Sequence, residues 1–269
     1  MYMEKARSDR KRLVLKIGSN TLTRETNAIS RGKIEDIARQ IAVLRDTYEF
    51  VIVSSGAIAT ARQFVHLNAM GTEITEKQAL ASIGQPHLMR IFQESFQELG
   101  VFTAQCLLSY SDFERKESRD NIRNTINVLT AHDYVPIINE NDTVATDEIK
   151  FGDNDKLGAL TAVLLNADCY MIATNTNGIY AKDSIADKSY RTIPSIDDIN
   201  LMTKEIHTGI SSHGTGGMAS KAEAARITQN AGIETWIVNG LEDQFIQGTL
   251  SHKHTFTKII PVYSGSKKI

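Results

Sequence analysis

The sequence predicts an α/β fold, a three-layer αβα sandwich built on a mainly parallel central sheet. Three observations predict it. Runs that are apolar nearly throughout, RLVLKI at 12–17, FVIV at 50–53 and CYMIA at 169–173, read as strands buried on both faces. Segments with helical spacing of apolar residues alternate with them, as strand–helix–strand crossovers require. The chain has 269 residues, 41% of them apolar and 23% charged, which suits one large domain with a substantial core.

The elements follow in order. Lys16 breaks the first apolar run, which ends in a Gly18–Ser19–Asn20 turn. Ile34, Ile37, Ala38, Ile41 and Leu44 recur at helical spacing behind Ser30, a natural N-cap. The strand 50–53 ends in Ser54–Ser55–Gly56, and a helix of small residues starts at Ala57. Residues 75–99 read as a helix interrupted near Gly84 and Pro86, with Gly100 as its C-cap. A strand follows at 101–108. An amphipathic helix covers 119–132, with Ile122, Ile126 and Leu129 on one face. The strand 134–138 leads through a long polar loop to a helix at 157–165 and then the strand 169–173. Residues 180–195 are polar and irregular, a hairpin or lid. Helices are expected at 197–206, from Lys221 to about Asn230 with Gly232 as a stop, and near Asp243. Strands are expected at 235–238 and within 256–262. One domain over 12–262 is expected, with a disordered arm at 1–11 and a tail at 263–269.

Several function classes are excluded. The net charge of −2 provides no bulk field for nucleic acid or a membrane surface. No apolar run approaches the ~20 residues of a membrane span. Cys106 and Cys169 have no metal or redox spacing and read as two buried thiols in a reducing compartment. The N-terminus, MYMEKARSDRKR, is basic but lacks an apolar stretch before Leu13, so it is no secretory signal. A cytoplasmic protein with no nucleic-acid or membrane partner is expected.

Two stretches carry chemistry. Between Glu140 and Asp155 the loop 138–158 holds Glu140, Asp142, Asp147, Glu148, Asp153 and Asp155 against one cation, Lys150, interleaved with Asn139, Asn141 and Asn154. At the end of a strand, so acidic a loop suits an amino group, a metal or a lysine; a solvated acidic loop is the plain alternative. The other stretch is Gly214-Thr-Gly-Gly-Met-Ala-Ser-Lys221, a glycine-rich entry to a helix where backbone N–H groups can approach an anion. It is not a Walker A loop, because Lys221 follows Ser220. Two lysines, Lys16 and Lys221, and several glycine turns at strand ends suit phosphoryl transfer, which depends on position and charge. No nucleophile–base pair is evident. None is needed for a carboxylate acceptor, which is ionised at neutral pH with a pKa of about 4.3. The Asp153–Asp155 triplet lacks the offsets of a calcium loop, the first turn is not a dinucleotide fingerprint, and His252 and His254 read as surface residues.

These pieces resemble the glutamate 5-kinase group of the amino acid kinase family. The residues that carry the resemblance are VLKIGSNTL (14–22), VIVSSGAIA (51–59), PIINENDTVATDEIKFGDND (136–155) and GTGGMASK (214–221), in the family's order. The resemblance implies the amino acid kinase fold and ATP-dependent phosphorylation of the γ-carboxylate of L-glutamate, the first step of proline synthesis. It implies that Lys16 and Lys221 stabilise the transferring phosphoryl group and that Asp155 orients them. Ser55, Asn139, Asp142, Asp153 and Asn154 would bind glutamate. Lys16, Gly18, Ser19, Thr174, Asn175 and the loop Thr215, Gly216, Gly217, Met218, Ala219, Ser220 and Lys221 would bind ATP, with Mg2+ held mainly by its phosphates and no metal site of the protein's own. It also implies proline as a feedback inhibitor and a homo-oligomer, dimer or tetramer. Asn175 stands where the family usually has aspartate, and 181–184 reads AKDS where a sequence near ADPR is usual. The chain ends at Ile269, without room for the C-terminal PUA-type domain of many members. A related kinase with another acceptor, and a non-catalytic glutamate or proline sensor that keeps the fold, are the alternatives.

Overall fold

Leu13, Leu15 and Ile17 face one side of β1 (Lys11–Ile17) and Val14 the other, and the two sets join different apolar clusters. That alternation is the pleat of a strand buried on both faces, and it organises the molecule. The computed structural model describes residues 9–24, 26, 28–67, 72–144, 154–202 and 217–262. After β1 come α1 (Ser19–Thr23), α2 (Arg31–Leu44), β2 (Tyr48–Ser54), α3 (Ala57–Ala61), α4 (Glu73–Gln97) and β3 (Phe102–Leu108). A 3-10 turn at Tyr110–Phe113 precedes α5 (Lys116–Ala131), β4 (Tyr134–Glu140), α6 (Asp155–Leu164) and β5 (Cys169–Thr174). The chain continues through α7 (Lys182–Ala186), β6 (Ser195–Ile196), α8 (Ile199–Met202), α9 (Met218–Asn230), β7 (Glu234–Asn239), α10 (Phe245–Leu250) and β8 (Thr257–Ile259).

Among the described residues the sheet has eight strands in the order β3-β4-β2-β1-β5-β7-β8-β6. All neighbouring pairs are parallel except β7 with β8. On one face Leu13, Leu15, Ile17, Phe50, Ile52, Ile137 and Met171 pack with α2, α4 and α10. On the other Val14, Val51, Val53, Ile138, Tyr170 and Ile172 pack with α5, α6 and α9. This is the expected three-layer sandwich. β1 lies between β2 and β5: the chain passes from β1 to β2 on one side and, after β4, crosses to β5 on the other. The crevice at the carboxyl ends of β1, β2, β4 and β5 is therefore where this architecture places a ligand.

Some local expectations change. The helix over 75–99 is not interrupted: α4 runs unbroken through Gly84 and Pro86. Pro86 is exposed, so water can serve the carbonyl that loses its helical partner. Gly84 is a packing device, since a Cβ there would lie 1.8 Å from the Ala57 carbonyl oxygen of α3. Ser30 caps α2 as expected, its side chain accepting from the Lys33 N–H. α6 begins at Asp155 and α9 at Met218, earlier than expected, so Asp155 and Lys221 both sit in first helical turns. The last strand shrinks to three residues and runs antiparallel to β7. The segment 180–195 holds a Tyr180–Thr192 bridge and the unforeseen α7. Cys106 and Cys169 are half-buried rather than buried, and desolvation raises both thiol pKa values. Most of the expected arm and the whole tail lie outside the described residues, although Lys11 already belongs to β1. No described helix is long and apolar enough to cross a membrane.

Candidate active site

Strand alternation aims Lys16 at the α6–α9 layer, because it shares the face of Val14. Asp155 meets it there from the first turn of α6. Its Oδ1 lies 2.5 Å from Lys16 Nζ, and its Oδ2 lies 3.1 Å from Lys221 Nζ. Ser220 Oγ donates to the same Oδ2 at 2.8 Å. Asp155 is fully buried, and the two lysines are nearly so. A carboxylate in the first turn of a helix is also favoured by the helix dipole. One buried anion therefore meets two cations that arrive from β1 and α9.

The position of Asp155 is fixed from behind. Tyr170, on β5, donates its hydroxyl to the Asp155 carbonyl at 2.7 Å. The ring fits only because residue 158 has no side chain: a Cβ on Gly158 would lie 2.4 Å from Tyr170 Oη. Neither residue stands out in sequence, because a tyrosine in an apolar strand and a glycine in a helix have no local mark of partnership.

On the other side of Asp155 lies a group of amides. Asn154 Nδ2 donates to the Ser54 carbonyl at 2.8 Å, to Ser55 Oγ at 3.2 Å and to Asn139 Oδ1 at 2.8 Å. Ser55 is itself tied to the end of β1, its N–H donating to the Ile17 carbonyl at 3.1 Å. Asn139 Nδ2 continues to Gln85 on α4 at 2.8 Å, a residue the sequence reading did not single out. Asp142 lies beyond β4, half-buried. Burial, and secondly the nearby Glu140 carboxylate, push its pKa up to about 7.

Of the residues expected at the nucleotide, Gly18 lies beside the cluster, where a Cβ would sit 3.4 Å from Lys16 Nζ. Ser19 opens α1 next to it. Gly217 is the N-cap of α9 with no side-chain hydrogen bond, and Met218, Ala219, Ser220 and Lys221 form the first turn. Backbone N–H groups at such a helix start suit a phosphate. Thr174 and Asn175 stand at the carboxyl end of β5, next to β1 in the sheet, and the Thr174 carbonyl accepts from Gly240 N–H at 2.7 Å. Asp153, Thr215 and Gly216 lie outside the described residues. Thus the fold joins Lys16, Asp155, Ser220 and Lys221 in one bonded cluster and Ser55, Asn139 and Asn154 in another, with the adjacent residues Asn154 and Asp155 linking them.

Among the described residues no three His, Cys, Asp or Glu side chains converge as ligands. Asp155 already faces two ammonium groups and a hydroxyl. The described carboxylates do not fit a protein-held ion.

Known proteins resemble this chain over most of its length. The model described as the amino acid kinase family matches residues 11–239. Over 251 residues the chain is 39% identical to a glutamate 5-kinase of Vibrio campbellii, a match covering 93% of this chain and 66% of that protein. Over 260 residues it is 38% identical to a glutamate 5-kinase of Clostridium acetobutylicum, covering 96% of this chain and 97% of that one. The solved UMP kinase from Ureaplasma parvum superposes with a TM-score of 0.61 over 93% of this chain and 99% of its own, at 18% identity. That last likeness is one of fold.

Proposed function

This chain belongs to the amino acid kinase family, and we propose that it transfers the γ-phosphoryl group of ATP to the γ-carboxylate of L-glutamate. The products are γ-glutamyl phosphate and ADP, in the first step of proline synthesis. The observation that carries the reading is the buried Lys16–Asp155–Lys221 cluster beside the Ser55–Asn139–Asn154 amides. The two lysines face charge that spreads over the phosphoryl oxygens in the transition state, and Asp155 holds them in place beforehand, so little reorganisation is needed during transfer. The uncapped start of α9 and the bare backbone at Gly18 receive the phosphates. Magnesium enters with ATP, bound to its phosphate oxygens.

The acceptor needs no general base. Its γ-carboxylate oxygen attacks the γ-phosphorus, the bond to the β–γ bridging oxygen breaks, and ADP leaves with that electron pair. Asn154, Asn139 and Ser55 position the amino acid, and Asp142 faces its ammonium group. Relatives named glutamate 5-kinase that align over most of this chain support the choice of acceptor. Asn175 and the 181–184 segment fall on the nucleotide side, so ATP affinity is where this chain should differ from the family pattern. Feedback by proline and assembly into dimers or tetramers are further expectations from the resemblance, read by proline titration of the initial rate and by light scattering.

The test is ADP release from magnesium-ATP with and without L-glutamate, with hydroxylamine present to trap an acyl phosphate. Glutamate-dependent ADP and a trapped hydroxamate are expected. Turnover with N-acetylglutamate but not glutamate would favour the related kinase, and folded protein with no turnover on either would favour the sensor.

A further inference from the structure

We infer that Gln85 is a positioning residue for the acceptor amino acid, acting through a chain of amides with one fixed direction. The inference rests on the proposed reading of the site as one that takes an amino acid with a free ammonium group.

The chain runs from the surface inward. Gln105, exposed on the edge strand β3, accepts through Oε1 from Gln85 Nε2 at 3.3 Å. Gln85 Oε1 accepts from Asn139 Nδ2 at 2.8 Å, and Asn139 Oδ1 accepts from Asn154 Nδ2 at 2.8 Å. An amide side chain can turn end for end with almost no change of shape, so its direction is set by its partners. Here two backbone groups that cannot reverse set it. The Ser54 carbonyl can only accept, and it takes Asn154 Nδ2 at 2.8 Å. The Glu140 N–H can only donate, and it takes Asn139 Oδ1 at 2.9 Å.

Two consequences follow from that polarity. Asn154 Oδ1 is left sealed from solvent, with no hydrogen-bond partner among the described residues, as an acceptor for a donor from outside the protein. Asn139 Nδ2 must point at α4 and needs an acceptor there, which Gln85 supplies. The close approach of α4 at Gly84 brings Gln85 to the level of the β2–α3 turn. A carboxylate-bearing ligand without an N–H donor would leave Asn154 Oδ1 unpaired, so the chain selects for an ammonium or amine. Asn154 and Asn139 would touch the amino acid or lie next to it, and Gln85 acts only through them.

The test compares Gln85→Met, which keeps the length but cannot accept, with Gln85→Glu, which accepts through either oxygen. Gln105 is exposed and free to turn its amide toward the new carboxylate. For Gln85→Met the KM for glutamate should rise about tenfold while the KM for ATP stays within about twofold. For Gln85→Glu the glutamate KM should stay within about threefold of wild type. In an Asn139→Ala background, Gln85→Met should add less than about twofold. A glutamate KM unchanged in Gln85→Met, equal losses in both variants, parallel shifts of the glutamate and ATP KM values, or a full tenfold loss in the Asn139→Ala background would each overturn the inference. Wild-type protein without glutamate-dependent turnover would overturn the reading of the site instead, and this inference with it.

Discussion

Asp155→Asn should weaken the protein and its turnover for the same reason, and the two effects can be separated. The substitution keeps the shape of a fully buried side chain but removes the charge that meets Lys16 at 2.5 Å and Lys221 at 3.1 Å. The amide oxygen can serve one ammonium, and its NH2 end then faces the other. Two nearly buried cations lose the charge of Asp155. Breaking a buried pair by removing one partner costs ~3–5 kcal/mol. Native chains hold about 5–15 kcal/mol in all, so the variant should fold with reduced stability. At ~2–4 °C per kcal/mol for a chain of this size, the melting temperature should fall by about 6–20 °C. Turnover should fall by a factor on the order of 10²–10³, the loss typical of one preorganised electrostatic group. Adding Lys221→Met to Asp155→Asn removes one of the two cations, so it should recover part of the melting temperature and none of the turnover. The assays are a thermal melt at fixed protein concentration and glutamate-dependent ADP release with hydroxylamine. An Asp155→Asn protein melting within about 2 °C of wild type, or a double variant less stable than the single, would show that Asp155 is not the counter-ion of both lysines.

Two further outcomes are expected. Asp142 has its pKa raised to about 7, first by burial and then by Glu140, so its charge develops as pH rises through neutrality. The glutamate KM should fall between pH 6 and pH 8, and Asp142→Asn should flatten that profile. A variant profile identical to wild type would remove Asp142 from ammonium binding. The same shift has a stability sign: the folded state binds the extra proton between the ordinary carboxylate pKa and about 7, so this group's contribution falls as pH rises through that window. Gly158→Ala places a Cβ 2.4 Å from Tyr170 Oη and should cost about 1–3 kcal/mol by overpacking, with a loss of turnover as Asp155 shifts. A melt and rate equal to wild type would show that Tyr170 does not hold Asp155 in place.

The fold class was legible because both of its codes are local. Alternating strand faces and helical spacing show in RLVLKI, FVIV and the Ile34–Ile41 series without any knowledge of neighbours. The sandwich of two apolar clusters follows from those patterns. Pairing was not legible. That Lys16 shares Asp155 with Lys221 depends on β1 standing between β2 and β5, and on α6 and α9 covering the same face. That Gly84 and Pro86 leave α4 unbroken depends on Ala57 lying against one side of the helix and solvent against the other. Tyr170 and Gly158 become a unit only when β5 packs on α6. Gln85 reads as one more polar helix residue until the helix is laid beside the end of β4, where its Oε1 meets Asn139. Local sequence sets the conformation of each segment, but a hydrogen bond or ion pair between distant segments exists only once sheet order and helix packing bring the two side chains together.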